Sequence, residues 1–257
     1  MSTTRVLPIT AEDLHRIVPD GPRRLDDTQV LYAEAPARVP LATPVLNPLA
    51  WLLDGAAAQE LSGVPTEDLH QLMMGSRYVV DGRLVEPSDE TIAAIKDRGL
   101  THGAGVARLL AAAFAPGSPE QRRVDAWIMT EVVVLPYALR ADQDGMGETQ
   151  ALYANLLQSN YRLDHLMRSG SPYGQITHAI QAVNLAMGHL LLNGRRGIYT
   201  DRARRMCASI ERHVELRMPW LELDATMKGG APAPEGELGA HELWLLAALG
   251  LGVARVG

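Results

Sequence analysis

Imidazole is the side chain best suited to ligate iron or move protons near neutral pH, and the 257-residue chain carries eight. His178 and His189 fall in Ser169–Asn193, SGSPYGQITHAIQAVNLAMGHLLLN, which holds no Asp, Glu, Lys or Arg although charged residues make up 21% of the chain. A helix without a charged face is normally buried all round, so the sequence predicts two interior histidines. Each is either a core residue bonded to a carbonyl or hydroxyl or a ligand to a metal or haem iron. They stand three turns apart, roughly 16 Å along a helix axis, so they cannot share one iron. If one is an axial ligand, the other does something else.

Glu-Asp-Leu-His occurs twice, at Glu12–His15 and Glu67–His70. Glu-x-x-His is the di-iron carboxylate spacing, yet both copies sit in a first helical turn, where the dipole favours acids anyway. His70 shares its stretch with Leu69, Met73 and Met74. His102 reads as a capping residue, His165 and His213 as solvated, and nothing singles out His241. Arg195 and Arg196 follow the charge-free stretch, where they either complement the helix dipole or pair with an acidic ligand group such as a haem propionate. Arg77, Arg162 and Arg168 have the same capacity. Cys207 is either a thiolate ligand or a small core residue. As the lone cysteine it rules out an internal disulfide, a CxxCH haem attachment and a CxxC zinc pair, and with it comes the expectation of a reducing, cytoplasmic setting. Familiar nucleophile-elbow, P-loop, HExxH and EF-hand signatures are absent. The similar runs Gly103–Arg108 and Gly250–Arg255 complete no dinucleotide fingerprint and read as helix packing.

The elements that must position these residues read as helical. Residues 1–50 contain Pro8, Pro19, Pro22, Pro36, Pro40, Pro44 and Pro48, so they are expected to form an extended arm around one short helix capped by Thr10. Helices are predicted over Leu49–Leu61, from Thr66 through His70 to Gly75, over Asp89–Arg98 and over Gly105–Ala115. Longer ones follow over Pro119–Leu139 with a kink at Pro136, Gly147–Arg168, Ser169–Asn193, Thr200–Arg217 and Leu238–Val253. Tyr78–Val85 alternates around Asp81-Gly82 and can form a small β-hairpin. No linker divides two cores. The expectation is therefore one all-α domain, residues 1–257: a helical bundle with a proline-rich N-terminal arm and room for one hairpin.

Net charge is −6, which argues against a nucleic-acid surface. The charge-free stretch is long enough to span a bilayer, but Ser, Gln, Asn and His interrupt it, so no membrane segment is expected. A homodimer is compatible with the sequence.

His178-Ala-Ile-Gln-Ala-Val-Asn-Leu-Ala-Met-Gly188 followed by Asn193-Gly-Arg-Arg-Gly197-Ile-Tyr199 resembles the proximal region of the tryptophan-dioxygenase superfamily, and within it the haem-dependent tyrosine hydroxylases of natural-product pathways. There a helix carries the axial histidine and runs towards a glycine-containing loop. The superfamily's Gly-Thr-Gly-Gly run is missing here. The resemblance implies non-covalent haem b with His178 as its axial ligand and His189 as the alternative. His70 would be the distal acid/base, and Arg195, Arg196 and Arg77 would hold the propionates and the substrate carboxylate. The implied reaction hydroxylates a small aromatic amino acid, L-tyrosine to a catechol, with peroxide or O₂. Two other readings stand beside it. One is a non-haem di-iron oxygenase using Glu67, His70, Glu131 and a central-helix histidine; the other is a helical ligand-binding protein without chemistry.

Overall fold

The computed structural model describes residues 3–18, 31–53, 77–80, 83–86, 103–112, 114–140, 149–196, 206–234 and 236–256, with residues 68, 71, 88, 198, 200, 201 and 204. Its first and last strands are partners. β1 (Thr3–Pro8) pairs antiparallel with β7 (Leu251–Val256) along its whole length, Thr3 opposite Val256 and Pro8 opposite Leu251. β6 (Ala231–Pro232) adds to the other edge of β1, so the sheet order is β6-β1-β7. A second antiparallel sheet joins β2 (Ala37–Leu46) to β5 (Ile128–Val134). Its register shifts between Pro40 and Val45, where Pro40 and Pro44 have no N–H to donate to a ladder. Asn160 repairs the gap: its Nδ2 donates to the Pro40 carbonyl at 3.0 Å and its Oδ1 accepts from Ala42 N–H at 2.8 Å.

These sheets overturn the all-α expectation; the fold is mixed α/β. The proline-rich arm is not an arm, because its residues supply β1, the capped helix α1 (Ala11–Ile17) and β2. The helix expected over Pro119–Leu139 is three elements: α4 (Pro119–Asp125), β5 and α5 (Tyr137–Arg140). Five of the seven residues in Ile128-Met-Thr-Glu-Val-Val-Val134 are β-branched, which favours the extended backbone; a short apolar run cannot be assigned from periodicity alone. The last expected helix ends early in the same way. α10 (Ala240–Ala248) stops before Gly250, and Leu251–Val256 is strand, so Gly250–Arg255 is a turn and a strand rather than helix packing.

Other expectations hold in part. The hairpin forms as β3 (Tyr78–Val80) against β4 (Arg83–Val85), Tyr78 opposite Val85. Helices α2 (Pro48–Leu53) and α3 (Gly103–Ala112) overlap the segments predicted at Leu49–Leu61 and Gly105–Ala115, beginning one and two residues earlier; those predicted at Thr66–Gly75 and Asp89–Arg98 fall almost wholly outside the described residues. The predicted Thr200–Arg217 helix contracts to α8 (Ile210–Arg217), capped by Ser209 Oγ, and α9 (Leu223–Gly229) follows. Among the described helices none is long and apolar enough to cross a membrane.

The core lies between the β2–β5 sheet and the helical hairpin of α6 (Gln150–Arg168) and α7 (Tyr173–Leu192), where Leu46, Trp127, Leu135, Leu152, Tyr153 and Leu156 are fully buried. Tyr153 ties the layers together by donating its hydroxyl to the Val133 carbonyl at 2.8 Å. Arg140, also fully buried, donates to the carbonyls of Leu135 and Leu31 and to Gln150. It carries the chain around the corner after β5 without a carboxylate partner among the described residues.

Candidate functional site

The helical hairpin positions the most accessible of the candidate side chains. α6 ends at Arg168, the chain turns through Ser169–Pro172, and α7 begins behind Pro172, a residue suited to a helix start because its fixed φ costs nothing there. Ile180, Val183, Met187 and Leu190, at helical spacing, form a buried apolar stripe, with Ile176 half-buried at its start. The opposite face differs from expectation. Gln175, His178, Ala182 and Leu185 are exposed, so α7 is buried on one side only and His178 is not an interior histidine.

Between the outer faces of the two helices lies a cleft of about 440 Å³. One wall is Asn155, Gln158, Ser159 and Arg162 of α6; the other is Gln175 and His178 of α7, above a floor of Ala179 and Ala182. Spacings of three, four and seven residues place each set on one helical face. The lining has amide and hydroxyl groups, a guanidinium and an imidazole, with no carboxylate and no Phe, Tyr or Trp ring. Neither Arg162 nor His178 has a hydrogen-bond or ion-pair partner among the described residues. By contrast Arg168, six residues farther along α6, is held by Asp164 at 3.0 Å.

The remaining predicted residues lie elsewhere. Arg195 donates through Nε to Glu211 at 2.6 Å and through Nη2 to Glu215; Arg196 donates to the other Glu211 oxygen and lies 3.5 Å from Asp224. Glu211 is fully buried, so both guanidiniums neutralise a carboxylate that burial would otherwise penalise. Arg195 also lies beyond the end of α7 at Leu192, fourteen residues and roughly 21 Å along the helix from His178, and it does not line the cleft. Arg77 lies 3.7 Å from Asp68 and 3.5 Å from Glu86, beside the hairpin.

His189 is buried, 3.8 Å from Asp201, whose carboxylate also accepts from Arg204 at 2.7 Å. Asn193 closes this turn by donating to the Arg204 and Cys207 carbonyls. His213, expected in solvent, is buried and bonds Thr149 at 2.6 Å. His165 is exposed as expected. His241, also exposed, lies with its ring tilted 46° to that of Trp244, centroids 5.4 Å apart. Cys207 is partly buried against the core. Glu67, His70 and His102 lie outside the described residues. Glu131, offered for a di-iron site, is on β5, bonded to His15 Nε2 at 2.8 Å and Arg38 Nη1 at 2.9 Å. Among the described residues no group of three or more His, Cys, Asp or Glu is placed to hold a metal ion.

The described walls around His178 do not fit a haem. An accessible imidazole is one requirement, which His178 meets; an apolar slot for the macrocycle is another, and here the walls are amides, a hydroxyl and a guanidinium above two alanines. What the sequence reading missed is the α6 wall. Its signal was legible as Asn155, Ser159 and Arg162 at helical spacing opposite Gln175, His178 and Ala182, two polar faces on helices joined by a four-residue turn. No protein-family model matches the chain, and no curated protein matches it.

Proposed function

We propose that the protein binds a small molecule in the α6–α7 cleft, with Arg162 and His178 as its principal contacts. The observation that supports this is the pair itself: two basic side chains without protein partners among the described residues, in one cleft that contains no carboxylate. Cation-bearing surfaces usually intersperse acids, as Asp164 does for Arg168; a cleft that omits them is set up for an external acceptor. The cleft's size falls within the range of small-molecule sites. A cytoplasmic setting belongs to the same reading and is supported by the lone Cys207.

The second reading is the haem-dependent hydroxylation of an aromatic amino acid that the resemblance implies. His178 favours it, being reachable from solvent with both ring nitrogens open to a ligand. Two measurements on purified full-length protein separate the readings. A thermal-shift screen of small metabolites should give compounds that raise the Tm of wild type but not of Ala182→Trp, whose indole fills the cleft floor. At a hundred times Kd such a ligand stabilises by about 2.7 kcal/mol. Hits that stabilise Ala182→Trp equally would remove the cleft from the function. A visible spectrum with a Soret band, lost in His178→Ala, would instead establish the haem reading.

A further inference from the structure

We infer that the ligand class of this cleft is a small polyhydroxylated anion, a phosphorylated or carboxylated polyol; this rests on the cleft reading above. The selection follows from what lines the site and in what order. Arg162 lies six residues before the end of α6 and His178 five after the start of α7. Counted from the turn at 1.5 Å per residue, both stand at roughly 8–9 Å, facing each other across the cleft. Anionic oxygens placed there meet a planar guanidinium fork on one side and an imidazole on the other, the geometry that favours phosphate or carboxylate.

Beyond that pair come Ser159, Gln158 and Asn155, the last about 10 Å farther along α6. Each amide offers donors and an acceptor, and the serine hydroxyl offers both, so this half of the cleft matches a chain of hydroxyl groups. Several ligand classes are disfavoured by the same residues. A nucleobase or aromatic amino acid would find no Phe, Tyr or Trp ring to stack on in the lining, whose one ring is the His178 imidazole already assigned to the anion. A free amino acid would also leave its ammonium without a carboxylate, and a desolvated unpaired charge is costly. A metal cation would meet Arg162 and no acid.

The test is calorimetric titration of the full chain with glucose 6-phosphate, gluconate, glucose, inorganic phosphate and L-tyrosine, repeated on Arg162→Gln and Ala182→Trp, with far-UV circular dichroism confirming that each variant is folded. One or both polyol anions should bind wild type at least about ten-fold more tightly than glucose or inorganic phosphate. Arg162→Gln should weaken them by about ten-fold or more, and Ala182→Trp should abolish them. Glucose 6-phosphate binding without gluconate identifies a phosphate head, and the reverse a carboxylate head; either supports the inference. Binding of glucose or L-tyrosine as tight as the anions, lost in Ala182→Trp, overturns the ligand class while the cleft stands. So does inorganic phosphate equal to glucose 6-phosphate, which marks a bare anion contact. If no probe binds, the ligand class falls. If a probe binds equally to wild type and Ala182→Trp, the cleft reading itself falls.

Discussion

Tyr153 shows how one residue can set a pH limit. Its ring is fully buried, its hydroxyl donates to the Val133 carbonyl, and Leu135 N–H donates to it at 3.4 Å. Burial pushes the phenol pKa well above its usual value, against smaller opposing pulls from Leu135 N–H and the nearby Arg140 guanidinium. The folded state therefore holds the proton more tightly than the unfolded chain. That contribution is complete below the unfolded phenol pKa of about 10 and is lost as pH rises beyond it. Urea midpoints should accordingly fall above about pH 10. Tyr153→Phe should lose about 1–3 kcal/mol at neutral pH by stranding the Leu135 N–H, yet show a shallower alkaline decline. An equally steep decline in the variant would assign the effect to another group, such as Tyr173, whose phenol is also raised by burial. Arg195 and Arg196 carry the companion lesson. Their sequence position suggested ligand binding, but Glu211, a buried acid on the next helix α8, claims them.

At the scale of elements, the joint between α10 and β7 is held from β2. Asn47, fully buried just after β2, donates Nδ2 to the Leu249 carbonyl at 2.9 Å and accepts from Leu49 N–H at 3.0 Å. Gly250 turns the chain there with φ +76°, and a Cβ on it would lie 2.7 Å from Asn47 Nδ2. Gly250→Ala should therefore cost about 1–3 kcal/mol, from the left-handed backbone and the displaced amide together. That is a Tm drop of several degrees for a chain of this size. Gly174→Ala is the control. It sits in the first turn of α7 with open space around its Cα and no positive φ, so it should be neutral or slightly stabilising. Similar losses at both sites would mean that Asn47 does not clamp the joint.

For the whole molecule, the decisive contact is between the chain's ends. β1 has β7 on one side over six paired residues and only the two-residue β6 on the other. Leu251 and Val6 are fully buried within this sheet. Deleting Leu251–Val256 removes the partner of every β1 residue and uncovers those side chains. The deletion variant should lose its cooperative thermal transition, followed by circular dichroism, although every described helix remains encoded. A retained sharp transition would show that the terminal sheet is an appendage to an independently stable α6–α7 and β2–β5 core.

Local chemistry along the chain is enough to place much of this. The Thr10 cap opens α1 as read, with Asp13 completing a capping box; α6 and α7 fall within their predicted spans, divided at Pro172; and the hairpin expected over Tyr78–Val85 forms as β3–β4. These depend on neighbours within a few residues, which the sequence lists directly. The sheets depend on partners more than eighty residues apart in β2–β5 and about 250 apart in β1–β7. Such pairing leaves no local periodic mark, and apolar runs such as Val132-Val-Val-Leu135 are equally compatible with helix or strand until a partner is chosen. The site follows the same division. That α7 carries no charge was visible, but whether that uncharged face is buried depends on what packs against it. Tertiary structure buries one side, leaves His178 on the other and brings Arg162 opposite. It also pairs Arg195 and Arg196 with Glu211, 16 and 15 residues farther along the chain, a partner that only the folded chain brings within reach.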